Sequence, residues 1–366
     1  MANQWIEIFE HTARHTAPTG SENSYFLPVR ESLVPQFTPT DEPREEFAGA
    51  DTGLGFSTFV RREELWEKQL SFYVRPIKAV NMLLEHGLGV EEARSAVDTT
   101  AYEGLYRPIN MPFGSAGVAL ANKALGLKVY YDDGEGNTRL RTYYGGRVVG
   151  AALELAGEGT DELTMTLTLQ GPGECITSES DGSGATVPDP ADLPTPFNFK
   201  DCTFYIDVFT DMVRTGTAPS FTAFDPSAMA TFAPDSMSIS INPAREDKRK
   251  GTELVTDKTS GMEVTASFPV DLRDPSSGFS SHDLVNALID GQVQRGICVV
   301  MDNSEVAGST TQTYEWIIDL PVMQLTSGSR DHNTSGATPK TTLEMKGVYD
   351  SDVGYMAGIF TTDQVA

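Results

Sequence analysis

The sequence predicts a mainly β protein: two β-sandwich or small-barrel domains in tandem, each flanked by one α-helix. Three observations carry that expectation. Segments with strict period-2 alternation recur, as in "DELTMTLTLQG" (Asp161–Gly171) and "SMSISIN" (Ser236–Asn242). One order of elements (strand region, helix, hairpin, final strand) occurs twice. The 33 glycines and 21 prolines of the 366 residues are scattered, as they are in a loop-rich globular chain.

The first half, residues 1–171, opens with an arm expected to be loop-rich, Ser21 to Gly49. "STFVRREELWEKQLSFYVRP" follows as a strand region, since Phe72 and Val74 lie two apart before Pro76. In "IKAVNMLLEHGLGVEEARSAV", Ile77, Val80, Leu83 and Leu84 form a helical stripe. "LKVYYDDGEGNTRLRTYYGG" is a hairpin whose turn is the Asp/Gly/Asn cluster Asp132 to Asn137. "RVVGAALELAG" and "DELTMTLTLQG" close the half.

Residues 172–196 are rich in Gly, Ser, Pro and Asp and read as a linker. The second half, 197–350, begins with "FNFKDCTFYIDVF" as its first strand. Two strands flank a charged connection, Pro243 to Gly261. The second of them sets Met262, Val264, Ala266 and Phe268 against Glu263, Thr265 and Ser267. "SSHDLVNALIDG" is a helix, with Ser280 and Asp283 spaced as a capping box and Leu284, Leu288 and Ile289 as its buried stripe. "RGICVVMDN" and "TYEWIIDLPVMQLTSG" make a hairpin, "TTLEMKGVYD" is the last strand, and 351–366 read as a C-terminal tail.

Composition narrows function. Fifty-two acids against 27 bases give a formal net charge of −25, which repels nucleic acid unless bases gather on one face. Only "REDKRKG" gathers them, and it carries two acids of its own, so a sequence-reading DNA binder is not expected. Three dispersed cysteines without a CxxC speak against a disulfide scaffold and a zinc site. The acidic "MANQWIEIFEHTAR" has no apolar core region, and no run approaches eighteen apolar residues. No signal peptide and no membrane span are expected, and synthesis and assembly are expected in a cytoplasm.

No catalytic, metal or cofactor site is expected. His11 and His15 are four apart but lack a third ligand. Ser281, His282 and Asp283 are contiguous, which suits a helix cap better than a triad assembled in space. "DDGEGN" lacks the spacing and closing Glu of an EF-hand, and neither a nucleophile elbow nor a phosphate-binding glycine loop is present. Trp66 and Trp316 are expected as core or interface anchors, and the cysteines as small buried hydrophobes.

The alternating strands bear more directly on function. Burying Met165, Leu167 and Leu169 stabilises by roughly 1.5–3 kcal/mol each, which commits that face to a core. The opposite face is free. Exposed strands often carry Lys, Glu and Arg as guards against edge aggregation. Here Thr and Ser combine β-propensity with a short, smooth, uncharged surface. Such a face is either an ordinary solvated face or the lining of a passage for a sliding polymer.

The succession "PVRESL", "STFVRREELWEKQLSFYVRP", "YYGGRVVGAALELAGEGTDELTMTLTLQG", "FAPDSMSISINPAREDKRKGTELVTDKTSGMEVTASFPVDL", "IIDLPVMQLTSG" and "TTLEMKGVY" resembles the major tail tube proteins of long-tailed bacteriophages, in the type that fuses two tube domains in one chain. The likeness runs over roughly residues 20 to 350 and lies in the order and style of elements. It implies tandem sandwich or barrel tube domains that self-assemble into rings stacked around a DNA channel. It also implies a homotrimer with pseudo-sixfold symmetry, or six chains should the first half not be a tube domain. Implied partners are tape-measure and tail-tip or terminator proteins and passing double-stranded DNA, in a virion tail. Candidate lumen residues are Thr164, Thr166, Thr168, Ser238, Ser240, Thr265 and Ser267. The candidate inter-ring arm is Arg245, Glu246, Asp247, Lys248, Arg249 and Lys250. The alternative expectation is a β-sandwich decoration or binding protein of a virion or cell surface.

Overall fold

A computed structural model describes residues 4–11, 16–20, 22–30, 34–44, 58–91, 95–97, 101–108, 123–149, 153–208, 212–218, 220–242, 245–250, 253–258, 262–273, 275, 278–307, 312–328 and 338–364. Strands β1 (Trp5–His11), β2 (Ser24–Leu27), β3 (Gln36–Arg44) and β4 (Thr58–Tyr73) precede helix α1 (Lys78–Leu88). After it come β5 (Gly89–Glu91), β6 (Ser95–Ala96), β7 (Tyr102–Pro108), β8 (Ala124–Asp132) and β9 (Thr138–Val148). β10 (Leu153–Glu158) and β11 (Thr164–Pro172) end the first half, and β12 (Ser180–Asp181), paired with β9, lies in the stretch read as a linker.

The second half holds β13 (Cys202–Asp207), β14 (Val213–Thr217), β15 (Ser220–Asp225), β16 (Ala230–Phe232) and β17 (Ser236–Asn242). Next are β18 (Arg245–Lys250), β19 (Glu253–Lys258), β20 (Glu263–Asp271) and helix α2 (Ser281–Asp290). β21 (Gln294–Val306), β22 (Thr313–Gly328), β23 (Lys340–Gly347) and β24 (Gly358–Asp363) complete the chain. The protein is mainly β, and the described strand pairs are antiparallel.

The two halves share one strand order. Hydrogen-bonded neighbours run β2–β1–β8–β9–β11–β4–β3 in the first. They run β16–β13–β21–β22–β23–β20–β17 in the second. The halves are also continuous with each other. β10 pairs with β17, β7 pairs with β24, and one hydrophobic cluster draws Ile6, Trp66 and Leu167 together with Ile239, Phe268 and Trp316.

Local chemistry explains the elements. At the β8–β9 turn, Asp132 and Asp133 carboxylates accept from the N–H groups of Gly134, Glu135 and Asn137, and Gly134 and Gly136 supply positive φ. Ser280 caps α2, its hydroxyl accepting from the Asp283 N–H at 3.0 Å. Trp66 is fully buried, donates to the Tyr144 carbonyl at 3.2 Å, and lies on the backbones of Gly146 and Gly171.

Five expectations need correction. The Ser21 to Gly49 arm contains β2 and β3. β3 carries Pro39 and Pro43, tolerated because its pairing with β4 leaves its other edge without a strand among the described residues. The charged connection after Pro243 is a two-stranded ribbon, β18 with β19. α1 stops at Leu88, where Gly87 and Gly89 weaken the helix, and it is buried almost all round because β7 covers what would have been its wet side. In α2, Leu284 and Val285 face the core while Ile289 is 75% exposed. The stretch read as a C-terminal tail contains β24, which is buried throughout between β22 and β7 and so lacks the alternation that marks a half-wet strand.

Candidate functional site

The seven predicted hydroxyl residues come together on one sheet face. Met165, Leu167 and Leu169 on β11, Met237, Ile239 and Ile241 on β17, and Val264, Ala266 and Phe268 on β20 are buried, which turns their neighbours outward. β11 meets β10, β10 meets β17, and β17 meets β20, so these strands lie side by side.

The register draws two rows across the sheet. One runs Ser71, Thr166, Glu154, Ser240, Thr265, Lys346, Gln324. The other runs Tyr73, Thr164, Ala156, Ser238, Ser267, Glu344, Ser327. Thr168, opposite Gln69, starts a third row. Seven strands at the usual spacing of about 4.8 Å make a face roughly 29 Å wide. It spans both halves, because β10 and β17 join them in its middle.

Nine residues of these rows lie outside the predicted seven: Gln69, Ser71, Tyr73, Glu154, Ala156, Gln324, Ser327, Glu344 and Lys346. The period-2 runs "KQLSFY" and "LEMKG" are the signal that finds Gln69, Ser71, Tyr73, Glu344 and Lys346. Lys346 donates to Glu263 at 2.5 Å, so the one lysine in the two rows is paired with an acid. At one border the Arg30 guanidinium lies over the Tyr73 ring at 4.7 Å, and a cleft beside it is lined by Glu158, Asp161 and Glu162. With the seven hydroxyl residues among them, two glutamates and one lysine that is itself paired, these rows have little means of holding a polyanion.

The arm residues Arg245, Glu246, Asp247, Lys248, Arg249 and Lys250 form β18 and are not part of the face. Their ribbon with β19 is separate from the main sheet.

The residues weighed for catalysis have structural surroundings. His11 lies in a strand and is buried, its Nε2 accepting from the Gly145 N–H at 3.0 Å; His15 lies outside the described residues. Ser281 donates to the Asp271 carbonyl at 2.8 Å, and the His282 Nδ1 lies 3.7 Å from the Asp283 carboxylate. Cys175 and Cys298 are buried and outside any disulfide, and burial with the neighbouring Asp201 pushes the Cys202 thiol up to about 12. Among the described residues no group of three or more His, Cys, Asp or Glu is arranged to hold a metal ion, and no helix is long and apolar enough to cross a membrane. No protein-family model and no curated protein sequence matches the chain.

Proposed function

We propose that this chain is a structural, non-enzymatic subunit of a bacteriophage tail tube, in which two fused β-domains build stacked rings around a channel for double-stranded DNA. The observation that carries the reading is the hydroxyl-rich face running unbroken across both halves. A passage for a duplex needs a wall that does not grip phosphate, and non-specific affinity for DNA comes mainly from Lys and Arg. Thr164, Thr166, Thr168, Ser238, Ser240, Thr265 and Ser267 are the lumen residues in this reading, helped by a net charge of −25.

The repeated strand order supports two tube domains per chain, and hence three copies with pseudo-sixfold symmetry in a ring. The ribbon β18–β19 and the distal part of the β3–β4 hairpin are the arms that reach the next ring. Tape-measure and tail-end proteins are the other partners, and the virion tail is the location.

Negative-stain electron microscopy of the purified chain over a concentration series tests this. Rings or hollow tubes roughly 100 Å wide, the scale of several sandwiches around a duplex-sized hole, are expected. Uniform small particles at every concentration, even after addition of tail-tip protein, overturn it and favour a decoration protein.

A further inference from the structure

β7 of the first half and β24 of the second are joined through five residue pairs, Ile359↔Tyr106 to Asp363↔Tyr102. On the face of this joint turned away from the main core, the register lays down two parallel rows. One runs Val300, Ile317, Phe360, Leu105 and belongs to a small second core. The next, two residues along each strand, runs Asp302, Glu315, Thr362, Glu103. Three of its four members are carboxylates. Glu103 comes from the first half and the others from the second.

Strand geometry sets how close they stand. Asp302 and Glu315 are directly opposite, with Cβ atoms about 4.5–5.5 Å apart, and Glu315 and Glu103 flank Thr362 at two strand spacings, roughly 10 Å. Like charges set opposite each other in a sheet are destabilising. Water would screen them on an open surface, but all three are partly buried. Asp302 accepts from the Ser304 N–H at 2.7 Å. Glu103 and Glu315 have no hydrogen-bond or ion-pair partner among the described residues.

No described cation answers them. The other ionisable groups on this face are Tyr205 of β13, Cys298 of β21, Asp225 of β15, Arg107 of β7, and Asp319 of β22 with its partners Arg214 and Tyr355. Tyr205, Cys298 and Tyr355 carry no charge near neutral pH, since burial raises all three. Arg214 is committed to Asp319, and Arg107 stands four residues along β7 from Glu103, about 13 Å. Burial lifts Glu103 above its ordinary value, and burial with the charges of Asp302 and Glu103 does the same to Glu315.

The row bears on more than one strand pair. Thr362 faces the carboxylates, while its neighbour Asp363 points to the opposite side of β24 and accepts from Asn81 of α1 at 2.8 Å. Asn81 and Asp363 are both buried, and α1 lies against β7. Spreading β7 from β24 would therefore uncover the helix as well.

We propose that this row is a proton-sensitive latch on the joint between the halves: charged, its carboxylates press β7 away from β24, and a proton taken up by Glu315 or Glu103 closes the joint. A carboxyl raised in the folded state holds its proton more tightly there than in the unfolded chain. Stability therefore grows as pH falls through the folded value towards the ordinary 4.5, and is lost as pH rises. The latch is a property of the single chain and does not depend on the tube reading.

Hydrogen exchange of the full-length chain, read by mass spectrometry on peptides covering β7 and β24 and corrected for intrinsic exchange rates, tests it between about pH 5 and about pH 8. Protection of these peptides should fall roughly threefold or more over that range, the scale of a like-charged pair across a sheet. Glu315→Gln and Glu103→Gln keep the side-chain shape and remove the charge. Each should flatten the pH dependence in part, and the double variant should abolish it. Asp302→Asn should weaken it by removing the charge opposite Glu315. Equal falls in the double variant and the unmodified chain would assign the pH dependence to the net charge of −25 as a whole and overturn the latch. So would protection that does not change with pH, or Gln variants that shift protection by the same factor at both ends of the range, as a packing role alone would.

Discussion

The Arg214 guanidinium grips the Asp319 carboxylate with two hydrogen bonds of 2.7 and 2.8 Å, and the Tyr355 hydroxyl donates to the same carboxylate at 2.6 Å. Asp319 is fully buried on β22, and Arg214 sits on β14 with 7% of its side chain exposed. The group pins the β14–β15 hairpin over a small second core of Met212, Phe224, Ile317 and Phe360. Burial opposes the charge on Arg214, but Asp319 reverses the effect and holds the guanidinium above its ordinary pKa. Breaking such a pair from one side leaves a buried charge. Arg214→Met should therefore lower the stability measured by urea denaturation by roughly 3–5 kcal/mol, and adding Asp319→Leu should recover most of it. A single variant no worse than a surface change would show that the hairpin is held by its apolar contacts alone.

Acid should loosen the contact between β1 and α1. Glu10 bonds His86 at 2.9 Å and Lys123 at 3.0 Å. Burial alone would raise its pKa, yet these two partners bring it down from 4.5 to about 2. A carboxyl depressed in the folded state contributes stability that is complete above its unfolded pKa and is lost as pH falls through its folded one. The window here is pH 4.5 to about 2. Screened by solvent at a partly exposed site, the difference between the protein and Glu10→Gln should be about 1–2 kcal/mol near neutral pH and close to zero at about pH 2. Urea midpoints across that range measure it, and a pH-independent difference would remove Glu10 from the account.

Where the chain alternates between wet and buried faces, its strands can be read from sequence. Thr164, Thr166 and Thr168, Ser238 and Ser240, and Thr265 and Ser267 betray their strands because the residues between them are apolar. That they form one surface is not legible, since it depends on β10 meeting β17, a pairing without a local signal. β24 was hidden because both its faces are covered, so "GIFTTD" has no period. β3 was hidden by prolines that a strand accepts only at an edge. Arg214 and Asp319 are 105 positions apart, and neither segment advertises the other.

Glycine at position 171 is a packing requirement. A Cβ there would stand 2.6 Å from the Trp66 indole, whose ring also packs edge-on against Tyr143 at 5.7 Å. The indole is rigid and fully buried, so it cannot yield as a flexible chain end would. Gly171→Ala should cost roughly 1–3 kcal/mol by overpacking, visible as a lower urea midpoint with altered tryptophan fluorescence. An unchanged midpoint would mean that β11 can shift along β4 to make room.

The proposed passage should be made sticky by lysine. Thr166, Ser240 and Thr265 share one row across three strands, and each is partly exposed on a face whose other side is core. Lysines there leave the core untouched, so stability should stay within about 0.5 kcal/mol. The unmodified chain, acidic and hydroxyl-faced, should show no fluorescence anisotropy change with duplex DNA at physiological salt. The triple lysine variant should bind, with a log–log salt slope steeper by roughly 0.9 for each phosphate contacted. In assembled tubes the same change should slow the escape of threaded DNA, because each new contact must break before the duplex advances. Equal binding by both proteins would mean that the face does not meet the duplex, and the lumen would then have to be sought on another side of the sheet.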